Sequence, residues 1–142
     1  RVGGLMDGNE ILLLKPSTYV NKSGMAVSHL RLSEEFIPAE DLLVVVDDVV
    51  LDPGRVRFRP NGGSGGHNGL QSVSDSLGTE SYGRLRIGVG KPPAGMEMAD
   101  WVLSEMEQED EERVLGVLPD LSEAVRVWMT QGMEVAMNRF NG

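Results

Sequence analysis

Residues 42–59, LLVVVDDVVLDPGRVRFR, decide the fold class of this chain. Leu42 to Val46 is a continuous apolar run rich in β-branched residues, which is typical of a strand buried on both faces in a parallel or mixed sheet. Asp47 and Asp48 follow at the carboxyl end of this strand. From Val56 onward, apolar residues alternate with arginines, which predicts a second strand with one apolar face and one basic face.

On the C-terminal side of this stretch, strand and helix patterns are interleaved. Residues 61–66 are a glycine-rich loop, and residues 68–77 have the spacing of an amphipathic helix. Residues 84–89 alternate as a further strand. Residues 105–112 contain six acidic residues in eight, and we expect them to open a helix because negative charge is favourable at a helix N-terminus.

The two ends of the chain complete the predicted fold. An Asp7-Gly8 turn between two short apolar stretches indicates a hairpin, and a helix is predicted from about Asn21 to Phe36. One final helix is predicted from Pro119 to about Ala136. Residues 1–142 are therefore predicted to form a single α/β domain, a three-layer sandwich with a mixed, mostly parallel sheet flanked by helices.

The composition excludes several kinds of chemistry. With no cysteine and only two histidines, the chain has no disulfide, no thiolate nucleophile and no convincing zinc site. It has no apolar run of about 18 residues and no signal-peptide pattern, which indicates a cytoplasmic protein without a membrane span. We therefore expect a site built from oxygen and nitrogen groups, without a metal or another cofactor.

The charge of the chain is distributed unevenly. The net charge of −9 argues at first against a nucleic-acid partner, because phosphate binding depends largely on Lys and Arg. Residues 54–91, however, contain six basic and two acidic residues, a net charge of +4 that leaves −13 for the rest. These arginines are either the solvated edge of a sheet or the binding surface for a polyanion.

Two groups could carry chemistry near this basic segment. Of the paired aspartates, one can reach a cleft at the strand end, whereas the other can simply be solvated, because adjacent strand residues point to opposite faces. The loop GGSGGHNGL, residues 62–70, precedes a helix N-terminus and resembles an anion site. His67 and Asn68 in this loop are either functional groups or a structural partner and a helix cap, respectively.

A third group lies near the N-terminus, in residues 15–24. Asn21 is either a helix cap or an amide presented to a ligand, and His29 has no assigned role. A nucleotide-phosphate site in the glycine loop is the least favoured alternative, because no Gly-Lys-Ser/Thr follows the loop.

Four blocks of sequence together resemble the bacterial peptidyl-tRNA hydrolase family in order and spacing. The blocks are KPSTYVNKSGMAV (residues 15–27), VVVDDVVLDPGRVRFR (44–59), GGSGGHNGLQSV (62–73) and YGRLRIGVGKP (82–92). The resemblance implies a cytoplasmic, monomeric esterase that cleaves the bond between peptide and tRNA in peptidyl-tRNA. In that family water is the nucleophile, and neither a metal nor a covalent intermediate takes part.

The resemblance also implies a role for individual residues. Asn21 holds the peptide backbone or the water near the ester, and Tyr19 belongs to the same substrate-binding segment. Asp47 orients the catalytic histidine, Asn68 binds in the same cleft, and His67 helps to close the cleft. Arg59 and Arg86 hold the terminal phosphate of the tRNA, in agreement with the basic strand faces.

One family motif is missing from the 142 residues. The family's general base is a histidine in a TRHN motif, preceded by a GLGNPG loop, and neither is present in this sequence. We therefore expect the chain to lack a first strand and the catalytic loop, and to be inactive by itself, since a general base contributes about 10²- to 10⁴-fold. The alternative function is a non-catalytic RNA-binding protein on the same fold.

Overall fold

The computed structural model describes residues 2–6, 9–15, 23–25, 27–65, 67–91 and 108–141. The strands in this part of the chain are β1 (Val2–Met6), β2 (Asn9–Leu13), β3 (Leu43–Asp48), β4 (Val56–Arg59) and β5 (Gly83–Gly88). The helices are α1 (Pro38–Asp41), α2 (Asn68–Leu77), α3 (Gln108–Gly116), α4 (Leu118–Gln131) and α5 (Met133–Phe140), with a 3₁₀ helix at Ser28–Leu32.

The chain divides into two compact units. The first unit comprises Arg1–Val44 and Pro60–Gly83, and the second comprises Val45–Arg59 and Arg84–Gly142. The hairpin, α1 and α2 belong to the first unit, whereas β4 and the C-terminal helices belong to the second. The organisation of residues 1–142 as a single domain stays a prediction.

In the first unit, the predicted N-terminal hairpin is confirmed. Strands β1 and β2 pair antiparallel, from Val2 opposite Leu13 to Met6 opposite Asn9. The Asp7-Gly8 turn between them lies outside the described residues.

The predicted helix from Asn21 to Phe36 is wrong over its described part. Instead of an α-helix, the segment has a 3₁₀ helix at Ser28–Leu32, which ends at Ser33 in extended conformation. Backbone hydrogen bonds in this segment span three residues, as from the Leu30 N–H to the Val27 carbonyl at 3.0 Å, and not the four of an α-helix. Before it, the Gly24 N–H donates to Ser72 Oγ at 2.9 Å. A side chain at Gly24 would collide with the Ser72 carbonyl, so this part of the segment packs closely on α2.

Helix α2 is confirmed at the predicted residues. Its apolar face is buried through Leu70 and Val73, and it ends at Gly78, which has a left-handed φ of 72°. The buried hydroxyl of Tyr82 donates to the Leu70 carbonyl at 3.1 Å and shares a 2.7 Å hydrogen bond with Ser74 Oγ. These bonds attach the helix to the residues that lead into β5.

The three-stranded sheet has the order β3-β5-β4 and is mixed. Gly83 N–H donates to the Leu42 carbonyl, and Val89 N–H donates to the Asp48 carbonyl. The donors and the acceptors advance along the chain in the same direction and by the same number of residues, so β3 and β5 are parallel. Strands β5 and β4 pair antiparallel. The α/β class with a mixed sheet and helices is confirmed, but the predicted burial of β3 on both faces is wrong, because Val45 is 49% exposed.

The C-terminal part has two helices where one was predicted. The chain turns at Gly132, whose φ of 92° is a conformation that favours glycine and separates α4 from α5. Pro119 stands in the first turn of α4, as predicted. The buried residues of these helices are Ala124, Val127 and Ala136.

Candidate functional site

The two strands β4 and β5 carry the predicted basic face. Direct cross-strand partners lie on the same side of an antiparallel ladder, and Phe58 is opposite Leu85, both fully buried. The other side carries two arginine pairs, Arg57 with Arg86 and Arg59 with Arg84. The predicted alternation of apolar and basic faces is therefore confirmed for both strands.

The four arginines differ in how far solvent reaches them. Arg59 is exposed, Arg57 and Arg86 are half-buried, and Arg84 is fully buried. Sequence reasoning counted Arg84 as part of the basic surface and did not foresee this burial. Of the two arginines that the resemblance assigns to the tRNA phosphate, both remain accessible, Arg59 more than Arg86.

The neighbouring aspartates at the end of β3 have different surroundings. Asp47 is exposed, whereas Asp48 is half-buried with a side chain that is 10% exposed. Asp48 Oδ2 lies 3.4 Å from Arg86 Nη1, and its Oδ1 accepts the Val50 N–H at 2.8 Å. Asp48 is therefore engaged in the structure and is not merely solvated, which sequence reasoning missed.

The connection between β3 and β4 is bound to the end of β5. Gly88 N–H donates to the Arg55 carbonyl at 2.7 Å, and Gly90 N–H donates to the Leu51 carbonyl at 3.0 Å. A Cβ at Gly88 would collide with the Asp52 carbonyl, so only glycine allows the connection to approach this closely. The glycines of the GVG segment thus place the β3 end, with both aspartates, beside β5.

In the first unit, the glycine-rich loop leads into α2 through His67. Its Nδ1 accepts the Leu70 N–H at 3.2 Å, so His67 is the N-cap and Asn68 is the first residue of the helix. The alternative in which Asn68 caps this helix is therefore wrong. Accepting at Nδ1 leaves the proton of a neutral ring on Nε2, and the side chain of Asn68 is exposed.

The segment that contains Tyr19 and Asn21 lies outside the described residues, but its continuation is anchored. Gly24, three residues after Asn21, packs against Ser72 and Ser76 of α2. Gly24 is therefore held on the same helix that begins at Asn68.

Asn141 supports the basic strand β4, and sequence reasoning did not indicate it. Its Oδ1 accepts the Phe58 N–H at 2.6 Å and its Nδ2 donates to the Phe58 carbonyl at 3.0 Å. The side-chain amide thus copies the pairing of a neighbouring strand and holds the backbone between Arg57 and Arg59. The partners are 83 residues apart in sequence, so no local pattern could have indicated the contact.

No helix in the described part of the chain is long and apolar enough to cross a membrane. The described residues also contain no group of three or more His, Asp or Glu side chains that could hold a metal ion.

Comparison with known proteins identifies the family. The family model for peptidyl-tRNA hydrolase matches residues 2–142. The peptidyl-tRNA hydrolase of Symbiobacterium thermophilum is 45% identical over 95% of this chain and 71% of its own length. That of Moorella thermoacetica is 46% identical over 97% of this chain and 73% of its own length.

A solved structure agrees with these sequence relatives. The crystal structure of peptidyl-tRNA hydrolase from Acinetobacter baumannii superposes with a TM-score of 0.89 at 29% identity. The superposition covers 99% of this chain and 70% of that one. The chain therefore belongs to the peptidyl-tRNA hydrolase family.

Proposed function

We propose that this protein hydrolyses the ester bond between peptide and tRNA in peptidyl-tRNA. The observation that carries the proposal is the family match over residues 2–142, which includes all four motif blocks. The basic face of β4 and β5 supports it, because an RNA substrate requires a cationic surface even on an acidic protein.

In the proposed reaction a water molecule adds to the ester carbonyl. The carbon–oxygen bond to the ribose then breaks, and the products are a peptide with a free carboxyl group and a tRNA with a free hydroxyl group. A base removes the proton of the attacking water, and the ribose oxygen receives a proton as it leaves. In the family that base is the TRHN histidine, which Asp47 is proposed to orient.

The other proposed site residues act on the substrate. Asn21 and Asn68 offer amides that both donate and accept hydrogen bonds, which suits a peptide backbone or the attacking water. Tyr19 is proposed to contribute to the same substrate-binding segment, and His67 to help close the cleft.

On the tRNA side, Arg59 and Arg86 are proposed to hold the terminal phosphate. The planar guanidinium presents a fork of donors that matches the geometry of a phosphate. Within this proposal the protein acts as a monomer in the cytoplasm. Sedimentation of the purified protein at several concentrations would test whether it is a monomer.

The proposal is tested by release of the blocked amino acid from N-acetylaminoacyl-tRNA, with unblocked aminoacyl-tRNA as the control substrate. The assay is run with and without added imidazole, because a small diffusible base can replace a missing histidine. Selective release supports hydrolysis. Binding of the blocked substrate without release in either condition supports the non-catalytic alternative, and absence of binding overturns the RNA-related function altogether.

Two substitutions test the proposed site residues in a version of the protein that carries the motif histidine. Asn68→Ala and Asp47→Ala are each expected to lower kcat on the order of 10²-fold, because each removes a polar group that acts during the reaction. The matched controls are Asn61→Ala and Asp52→Ala, which truncate exposed residues of the same types. If a variant turns over like its control, its residue does not belong to the site.

A further inference from the structure

Asp48, the last residue of β3, has no task in the proposed function. Both of its carboxylate oxygens are engaged, Oδ1 by the Val50 N–H at 2.8 Å and Oδ2 by Arg86 Nη1 at 3.4 Å. With 10% and 21% of their side chains exposed, Asp48 and Arg86 form a partly buried ion pair. Solvent screens this pair less than it screens a surface pair. The attraction of the Asp48 carboxylate therefore orients the Arg86 guanidinium.

Arg86 needs an orienting partner because of its position in the ladder. It stands directly opposite Arg57, and like charges at directly opposed positions repel each other. Without a carboxylate beside it, the Arg86 side chain would turn away from Arg57 and lose a defined direction. Asp48 offsets one of the two charges and holds one end of the guanidinium in place.

The contact leaves part of the guanidinium available. An arginine has five N–H donors, and the described contact with Asp48 uses one of them. The Nε–H of Arg86 is buried without an acceptor among the described residues, so the protein does not satisfy the whole group. The buried Nε–H is not open to a ligand, but 21% of the Arg86 side chain is exposed, so a phosphate oxygen can bind the exposed part of the guanidinium while Asp48 keeps its own contact.

We propose that Asp48 is a positioning residue that fixes the guanidinium of Arg86 for recognition of the terminal phosphate of the tRNA. This inference rests on the proposed function and extends that function with selectivity for one phosphate of the tRNA. An arginine without a fixed orientation attracts any phosphate of an RNA. An arginine held by a carboxylate binds most strongly the phosphate that approaches at one position and from one direction.

The test compares binding of one deacylated tRNA with a 5′-phosphate and the same tRNA after removal of that phosphate. The quantity measured is the ratio of the two Kd values, since a partly unfolded variant weakens both equally and leaves the ratio unchanged. Wild type is expected to prefer the 5′-phosphate, and Arg86→Gln to lose the preference. Asp48→Asn is expected to lower the ratio by roughly threefold to tenfold.

Asp52→Asn is the matched control, because it removes the same charge from the connection that follows Asp48. Asp52 is exposed and forms no ion pair with any described residue, so its neutralisation should strengthen binding of both tRNAs alike. The double variant Asp48→Asn/Arg86→Gln should equal Arg86→Gln alone, and Asp48→Glu should retain part of the preference.

An unchanged ratio in Asp48→Asn, equal to that of Asp52→Asn, would overturn the assignment of Asp48. Selective hydrolysis by a wild-type protein that ignores the 5′-phosphate would also overturn it, while the proposed function stands. A 5′-phosphate preference that depends on Asp48, in a protein that never releases the blocked amino acid, would support the positioning role and contradict the hydrolase.

Discussion

The position of His67 agrees with both a structural role and a functional role. As the N-cap of α2, its Nδ1 binds the Leu70 N–H, which accounts for a histidine at this position without any substrate. The same ring has Nε2 as a donor, and it adjoins Asn68, the exposed first residue of α2. The geometry therefore agrees with both a structural and a functional role of His67, and a substitution can separate the two roles.

We predict that His67→Asn keeps the stability of the protein but weakens the productive binding of substrate. Asparagine is among the preferred N-cap residues, so it can replace the bond to the Leu70 N–H, whereas His67→Ala should cost about 0.5–2 kcal/mol. Unfolding in urea measures the first effect, and the Kd for N-acetylaminoacyl-tRNA measures the second. If His67→Asn binds substrate as wild type does, His67 is only a cap.

At the scale of the elements, the sequence could predict the strands and the helix in which apolar residues recur at a regular spacing. The alternation in residues 56–59 and 84–88 gave the two faces of the ladder, and the spacing in residues 68–77 gave α2. Each pattern is contained within one strand or helix, so no distant contact was needed to predict it.

The elements that were predicted wrongly depend on distant contacts or on single backbone angles. The segment that contains the 3₁₀ helix is packed on α2 through Gly24 and Ser72, which are 48 residues apart. The division between α4 and α5 follows from the positive φ of Gly132, which an apolar helical period does not reveal. For the same reason Asp48 beside Arg86 and Asn141 beside Phe58 could not be predicted from sequence.

Asn141 joins the end of α5 to β4, and we predict that Asn141→Ala lowers the free energy of unfolding by about 1–3 kcal/mol. The substitution leaves both backbone groups of Phe58 without their partner and also loosens the tilted ring contact between Phe58 and Phe140, whose centroids are 6.1 Å apart.

Asn141→Asp is informative because a carboxylate can accept the Phe58 N–H but cannot donate to its carbonyl. The matched control is Asn138→Ala, an exposed asparagine on the same helix, which should change stability by less than about 0.5 kcal/mol. Equal urea midpoints for the Asn138 and Asn141 variants would show that the two hydrogen bonds contribute nothing net.

At the scale of the whole molecule, charge is separated along the sequence. Residues 54–91 carry +4 within a chain of net charge −9, so RNA is attracted to this segment and repelled by the remaining residues, which carry −13. This distribution restricts where a tRNA can bind, since a wrong approach meets acidic residues.

We predict that tRNA binding weakens steeply with salt despite the acidic character of the protein. Arg59→Ala should reduce the slope of log K against log salt by about one, because it removes one phosphate contact. Arg126→Ala, which removes an equal charge from an exposed position on α4, should leave the slope unchanged. Equal slopes for both variants would place the tRNA elsewhere.

The amide of Asn141 has one more consequence, which concerns how copies of this protein behave toward each other. Strand β4 stands last in the order of the described sheet, and the free backbone groups of such a strand are a template for pairing with another chain. By occupying the N–H and the carbonyl of Phe58, Asn141 blocks that template at its centre, while the flanking arginines repel an identical strand. A protein without this amide is expected to self-associate on concentration, even at temperatures at which it remains folded.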